Sequence, residues 1–439
     1  MRRFLVIALA LVGLTAMPSL SSAGPVKDLV RSTVLSVGTT VASVTDEQLV
    51  GVTWTSGDAT VRYRWLTGHG WTGWRTADED TADVGLPGTV PLWRPAGGVA
   101  VQLGVTGDAR GLRLARVTDG VASRVFGSVA HASLGRAVLG EVQSRADWGA
   151  DESMVRRAPS YASSVKAVVV HHTDDLNGYA PGDVPRIIRA DYSYHVKTRG
   201  WPDIGYNLLV DAYGRIWEGR RGGLGRATIG THAQGFNTGT LGVSMIGDMT
   251  KTHATVAAQK AFARVIAYAA ATWHFDPRGT VQLRSNGSPR YPDGRVVTLH
   301  RVFGHGETGI TDCPGSLQQD LPYLRDLAVV AAQPAPRVLR ADLSGAPVHA
   351  PDPVVLDGRL SASVKWHVTF SDSSGNVVAQ AFGHSTAPRL AWDGRTGGPL
   401  PASPGTYTWV LHADDGFHDD VQRTGSFDVA LPHLTALLG

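Results

Sequence analysis

The chain has 439 residues, 43% hydrophobic and 18% charged, the balance of a folded protein rather than a disordered one. Gly (52) and Pro (24) are abundant, and neither heptads nor a Gly-X-Y period is present, which excludes coiled coil and collagen and points to short strands and loops. Its 41 basic and 38 acidic side chains leave only +3, so charge gives no general pull toward nucleic acid or an anionic membrane.

In chain order, Met1-Arg2-Arg3 is a short positive start, and the apolar run from Phe4 to Met17 falls short of the roughly 20 residues a spanning helix needs. Ser21-Ser22-Ala23 supplies small residues for a signal peptidase. Residues 1–23 are therefore expected to be a signal peptide, and the protein to be secreted, free outside the cell or associated with the cell wall. Loss of Arg2 and Arg3 leaves 39 basic against 38 acidic groups. Arg2-Arg3 also has a loose twin-arginine look.

Residues 26–139 read as an N-terminal β-rich accessory domain. Val61-Arg62-Tyr63-Arg64-Trp65 and Leu112 to Val117 alternate apolar with charged residues, and turn-forming residues separate such runs. Trp54, Trp65, Trp71, Trp74 and Trp93 are expected to fill the core of this small domain rather than to bind carbohydrate, because aromatics carry much of such a core.

Residues 141–332 change character. Ala167 to Val170 is a continuous apolar run, the mark of a buried strand, and Asn207 to Val210 is a second. A helix is predicted from about Val256 to Trp273, with Phe262, Val265, Ile266, Ala269, Ala270 and Trp273 on one face, Thr255 as N-cap and Pro277 preventing continuation. Mixed strands and helices indicate an α/β or α+β unit around a central sheet. After Gln333-Pro334-Ala335-Pro336, residues 337–439 alternate again, as in Val364 to Phe370, and their length suits an immunoglobulin-like β-sandwich.

The single cysteine, Cys313, rules out an intrachain disulfide. A lone thiol in an oxidising compartment must be buried, catalytic or metal-bound. His171 follows the strand Val168 to Val170, and His305 lies eight residues before Cys313. Two imidazoles and a thiolate form a good zinc set with a fourth position left for water. Spacing by itself does not select them: there are 16 histidines, and His172, His195, His232 and His300 compete.

The surrounding text selects. Ser144 to Ala150, Val169 to Thr173, Asp203 to Asn207, Glu218-Gly219-Arg220, Gly230 to Ala233, Asn237 to Gly247 and Gly304 to Gly315 occur in that order. This series resembles the peptidoglycan recognition protein family and the related zinc N-acetylmuramoyl-L-alanine amidases, over residues 141 to 330. The resemblance implies a central mixed sheet flanked by helices, with Zn2+ held in a cleft by His171, His305 and Cys313. It also implies catalytic roles beside the metal for Tyr206 and Thr311, and places His232 and Asn237 along the glycan-peptide groove. The stretch Arg221 to Arg226 departs from animal members and is similar to the bacterial branch. Ala391 to Arg395 and Pro404 to Tyr407 resemble a bacterial Ig-like module of the flagellar hook-capping type.

Two functions of different class follow: an amidase cutting between N-acetylmuramic acid and L-alanine of peptidoglycan, or a recognition protein that binds peptidoglycan without cutting it. The presence of Cys313 with Tyr206 favours the enzyme. The expected partner is peptidoglycan, glycan strand and stem peptide, with no nucleic acid and no membrane span, and the chain is expected to be a monomer. Residues 141–332 are expected to hold the whole catalytic site.

Overall fold

The computed structural model describes residues 30–79, 84–118, 138–395 and 400–430. The expected signal peptide, residues 1–23, lies outside them. No helix of the described residues is long and apolar enough to cross a membrane.

The first unit is built of β1 (Val30–Val34), β2 (Gly38–Ser43), β3 (Leu49–Thr53), β4 (Ala59–Thr67), β5 (Gly70–Trp71), β6 (Arg75–Thr76), β7 (Leu92–Trp93), β8 (Ala100–Gly107) and β9 (Arg113–Val117). They form two antiparallel sheets, ordered β1-β9-β3-β7 and β2-β8-β4-β5, with β6 also pairing with β4. Alternation in β4 works as its sequence implies: Val61, Tyr63 and Trp65 are buried while Arg62 faces out. Trp54, Trp65 and Trp93 are buried as expected. Trp71 and Trp74 are not core residues. Trp71 is exposed and Trp74 half-buried, and the Arg64 guanidinium stacks at 5.0 Å on the first and 4.8 Å on the second. The alternation of β4 explains the difference, because it puts both arginines on the outer face, where a flat ring offers a cation–π partner.

The middle unit carries β10 (Val142–Gln143), β11 (Ala167–His172), α1 (Val184–Ser193), β12 (Leu208–Val210), β13 (Ile216–Glu218), β14 (Thr240–Met245), α2 (Val256–Trp273), β15 (Thr280–Arg284), β16 (Val296–His300), β17 (Val302–Gly304) and α3 (Leu317–Ala331). A six-stranded mixed sheet runs β10-β13-β12-β14-β11-β17. Its centre is parallel, β11 pairing with β14 and β17, while β12 and β13 are antiparallel. Strand β11 is buried throughout because both faces are covered. Val168 and Val170 join Phe262, Val265 and Ile266 of α2 and Leu324 of α3 in one core. On the other side, Leu209 and Trp217 meet Ile187 and Ile188 of α1. Helix α2 starts where predicted, with the Thr255 hydroxyl oxygen accepting the Ala258 N–H, and it stops at His274, which turns to φ 56°.

The tail contains β18 (Val338–Ser344), β19 (Val354–Leu360), β20 (Val364–Ser371), β21 (Val377–Ser385), β22 (Arg389–Trp392), β23 (Gly405–Asp414) and β24 (Val421–Val429). Two antiparallel sheets, β18-β19-β22 and β21-β20-β23-β24, share one core in which Leu356 and Trp392 of the first meet Phe370, Leu411 and Phe427 of the second.

The first unit does not stand apart from the middle one. Leu49, Trp93 and Val117 are buried in the same cluster as Trp148, Ile187 and Tyr194. The Tyr194 hydroxyl donates to the Thr89 carbonyl at 2.7 Å, and its ring lies so close to Gly51 that no side chain would fit there. Arg199, fully buried, donates to the Leu86 carbonyl at 2.8 Å and accepts the Leu86 N–H on its own carbonyl at 2.7 Å.

Candidate metal centre

Neighbouring parallel strands bring the two histidines together. Val170 of β11 stands opposite Gly304 of β17, so the next residues, His171 and His305, emerge side by side toward the carboxyl ends, where sites of open sheets are commonly built. Their rings lie 4.6 Å apart between centroids. The loop after His305 folds back, the Gly306 N–H donating to the Cys313 carbonyl at 2.8 Å, and delivers the thiol. Cys313 Sγ lies 3.8 Å from His171 Nδ1 and accepts the His172 N–H at 3.3 Å. One donor atom from each of His171, His305 and Cys313 lies within 4.8 Å of the others, and all three residues are buried.

Electrostatics prepare these groups for a cation. Burial pushes His305 down to about 4, and burial together with His305 and His232 holds His171 well below the usual imidazole range. Both imidazoles are therefore neutral near pH 7, the form that donates a lone pair to a metal. Two neutral imidazoles and a thiol, with no acidic oxygen among them, suit a borderline-soft divalent ion. A second group, His172, Asp174 and Asp248, is also close enough to bracket an ion. Two of its members are already engaged: His172 Nδ1 accepts the Met249 N–H at 2.9 Å, and Asp248 pairs with Arg75 at 3.2 Å and with Lys251.

His232 stands behind His171, with its Nδ1 3.0 Å from His171 Nε2. That contact fixes the ring orientation of His171 and leaves its Nδ1 facing the thiol. The His232 ring lies against the bare backbones of Gly230 and Gly242, where any Cβ would collide with it. Asn237 holds this loop, its side-chain oxygen accepting the His232 and Ala233 N–H groups at 2.8 and 3.0 Å. Both residues are buried. Tyr206 is half-buried, its ring 5.4 Å from that of His171. Thr311 lies on the Cys313 loop, and its hydroxyl oxygen accepts the Cys313 N–H at 3.1 Å.

His171, His232, His305, Cys313, Tyr206 and Thr311 line a cavity of about 20 Å³, which holds a water or an ion but no sugar ring. Thr231 also lines a wider adjoining cavity of about 310 Å³, with Arg157, Pro202, Arg220, Arg221 and Asn237. Other motif residues brace the floor. Arg145 binds Asp203 at 3.2 Å and the Gly219 carbonyl, and Trp148 Nε1 donates to the Glu218 carbonyl at 2.7 Å.

Sequence reasoning missed part of the lining. Asp78, Glu79 and Val90 reach the small cavity from the first unit, and Asp174 and Trp201 from the middle one. Burial, reinforced by Asp248, raises the Asp174 carboxyl to about 7. The expectation that residues 141–332 hold the whole site is thus corrected. The docking of the two units, which no local pattern records, adds three side chains to it.

The pattern of the N-acetylmuramoyl-L-alanine amidase family matches residues 161–316, the stretch that supplies His171, His305 and Cys313. Peptidoglycan recognition protein 1 of Bos taurus is 31% identical over 144 residues, 33% of this chain and 73% of that protein. The chain belongs to the peptidoglycan recognition protein family. Another member, peptidoglycan-recognition protein SC2 of Drosophila simulans, is 29% identical over 187 residues, 41% of this chain and 84% of the relative. Among solved structures of the family, Drosophila PGRP-LB aligns with 41% of this chain and 92% of its own at 25% identity and a TM-score of 0.33.

Proposed function

We propose that this protein is a secreted zinc-dependent N-acetylmuramoyl-L-alanine amidase, hydrolysing the amide between N-acetylmuramic acid and L-alanine of peptidoglycan. The observation that carries this reading is the convergence of His171, His305 and Cys313, three buried donors beside a cavity the size of a water. The family includes both amidases and proteins that only recognise peptidoglycan, and a complete donor set has its clearest use in catalysis.

Zinc bound by these three residues would supply a Lewis acid and lower the pKa of water. The chain supplies the rest. His232 holds the His171 ring in register. The Tyr206 hydroxyl is suited to donate to the oxyanion as the amide carbonyl becomes tetrahedral. Because the small cavity excludes a sugar, part of the glycan-peptide chain is taken by the wider one, where Arg157 and Arg221 complement substrate carboxylates. Asn237 lines that cavity and braces the His232 loop. The tail, with its two sheets over one core, fits an Ig-like module that helps attach the enzyme to the wall.

Mass spectrometry of purified peptidoglycan after incubation tests this. Free stem peptides beginning with L-alanine are expected. Retention on insoluble wall with no bond cut would instead establish the recognition reading. Tyr206→Phe should keep its metal and lose about 100-fold in turnover.

A further inference from the structure

The Thr311 hydroxyl has one proton to donate and two lone pairs. The proton is committed to Asp78, Thr311 Oγ1 donating to Asp78 Oδ2 at 2.9 Å. One lone pair is committed to the Cys313 N–H at 3.1 Å. The Asp312 N–H donates to the same Asp78 oxygen at 3.3 Å, so the carboxylate grips the ligand loop at two points. Asp78 lies 233 residues away in the chain, in the loop after β6, on a unit fixed to the middle one through the Leu49, Trp93 and Val117 core. What remains to Thr311 is a single lone pair.

Resting on the amidase reading, we propose that Asp78 is a positioning residue of the active site: by taking the Thr311 proton, it makes Thr311 an acceptor only, turned toward the attacking water. Thr311 then orients the O–H of the nucleophile and donates nothing to the substrate carbonyl, which falls to Tyr206. The amidase site is thereby composite, with one of its hydrogen bonds set by the N-terminal β unit.

Kinetics on a soluble muropeptide test this with Asp78→Ala, Asp78→Asn, Thr311→Val and the Asp78→Ala/Thr311→Val double variant. Arg186→Ala serves as the docking control, since it removes the 2.7 Å bond to Gln48 between the same two units without touching the site. Asp78→Ala should lower kcat about tenfold or more with KM within about twofold, while zinc content and unfolding temperature match those of Arg186→Ala. Asp78→Asn, which keeps an acceptor oxygen, should lie between it and wild type. The double variant should be no slower than Thr311→Val, because two residues acting through one hydrogen bond are not additive. Three results would overturn the proposal: a rate for Asp78→Ala at or above wild type, additive losses in the double variant, or an equal loss in Arg186→Ala.

If the wild-type protein cuts no muramyl-alanine bond, the amidase reading fails on its own. Hydrogen exchange in the metal-free protein then decides about Asp78. Faster exchange of the Cys313 amide in Asp78→Ala but not in Arg186→Ala supports the hold on Thr311, and equal exchange refutes it.

Discussion

The two β units read alike in sequence and join the middle unit differently. The N-terminal one contributes Leu49, Trp93 and Val117 to a core shared with Trp148, Ile187 and Tyr194. At the C-terminal seam, Phe417 packs at the edge of the middle unit's core with Lys260 Nζ 5.9 Å from its ring, beside a cavity of about 540 Å³ lined from both sides. A shared core fixes one unit relative to another, whereas a seam holding such a gap gains little from burial. Alternation that makes a strand therefore says nothing about whether the finished sheet is a tethered neighbour or part of the site.

Deletion should expose this difference most. Without residues 30–118, the faces of Ile187, Tyr194 and Trp148 lose their cover, and at about 2 kcal/mol per large side chain the unfolding temperature should fall by about 10 °C or more. Deleting residues 337–430 should move the same transition by no more than about 3 °C. Scanning calorimetry of the two truncations checks this, and equal shifts would erase the contrast.

Point substitutions sharpen it. Tyr194→Ala removes a buried ring packed on Gly51 and its bond to Thr89, and should cost about 3 kcal/mol in denaturant unfolding. Phe417→Ala at the other seam should cost less than about 1 kcal/mol.

Zinc is expected to act on one side of the comparison only. A hundredfold excess over its Kd should stabilise the transition shared by the N-terminal and middle units by about 2.7 kcal/mol and leave that of the tail in place. Cys313→Ala, reduced to two imidazole donors, should lose most of the bound zinc by elemental analysis and with it the shift.

A further effect is acid sensitivity of the metal-free protein. His305 and His172 titrate near 4 when folded and near 6.5 when unfolded. For these two groups the unfolded chain binds protons the folded one refuses, so their contribution to stability falls as pH drops through 6.5 toward 4, while Asp174, raised to about 7 when folded, acts in the opposite sense up to that pH. At pH 6 each imidazole should cost less than about 1 kcal/mol. Denaturant titrations at pH 8, 6 and 5 give the net slope. Between pH 6 and 5 the two imidazoles outweigh the one carboxyl, so a stability that rises over that interval would contradict the burial of this cluster.

Local pattern carried much of the architecture. Helix α2 begins and ends at the predicted residues because an apolar stripe, an N-cap threonine and a proline beyond its end are all sequence-local signals. Strand β11 was legible as a continuous apolar run for the same kind of reason. The donor set was legible through motif order: His171 and His305 are 134 residues apart, and only the parallel pairing of β11 with β17 makes them neighbours. Trp71 and Trp74 were misread as core because tryptophan content does not say which face of a sheet a ring covers.

The sequence by itself determined the alternation that builds the strands and the residue types that meet at the candidate metal centre. Only the tertiary structure decided that His232 backs His171, that Asn237 braces a loop, and that Asp78 reaches Thr311 from another unit. The physical reason is range. Secondary structure answers to forces between residues a few positions apart, whereas the docking of one unit on another depends on the shapes and polar groups of finished surfaces, which exist only after each has folded.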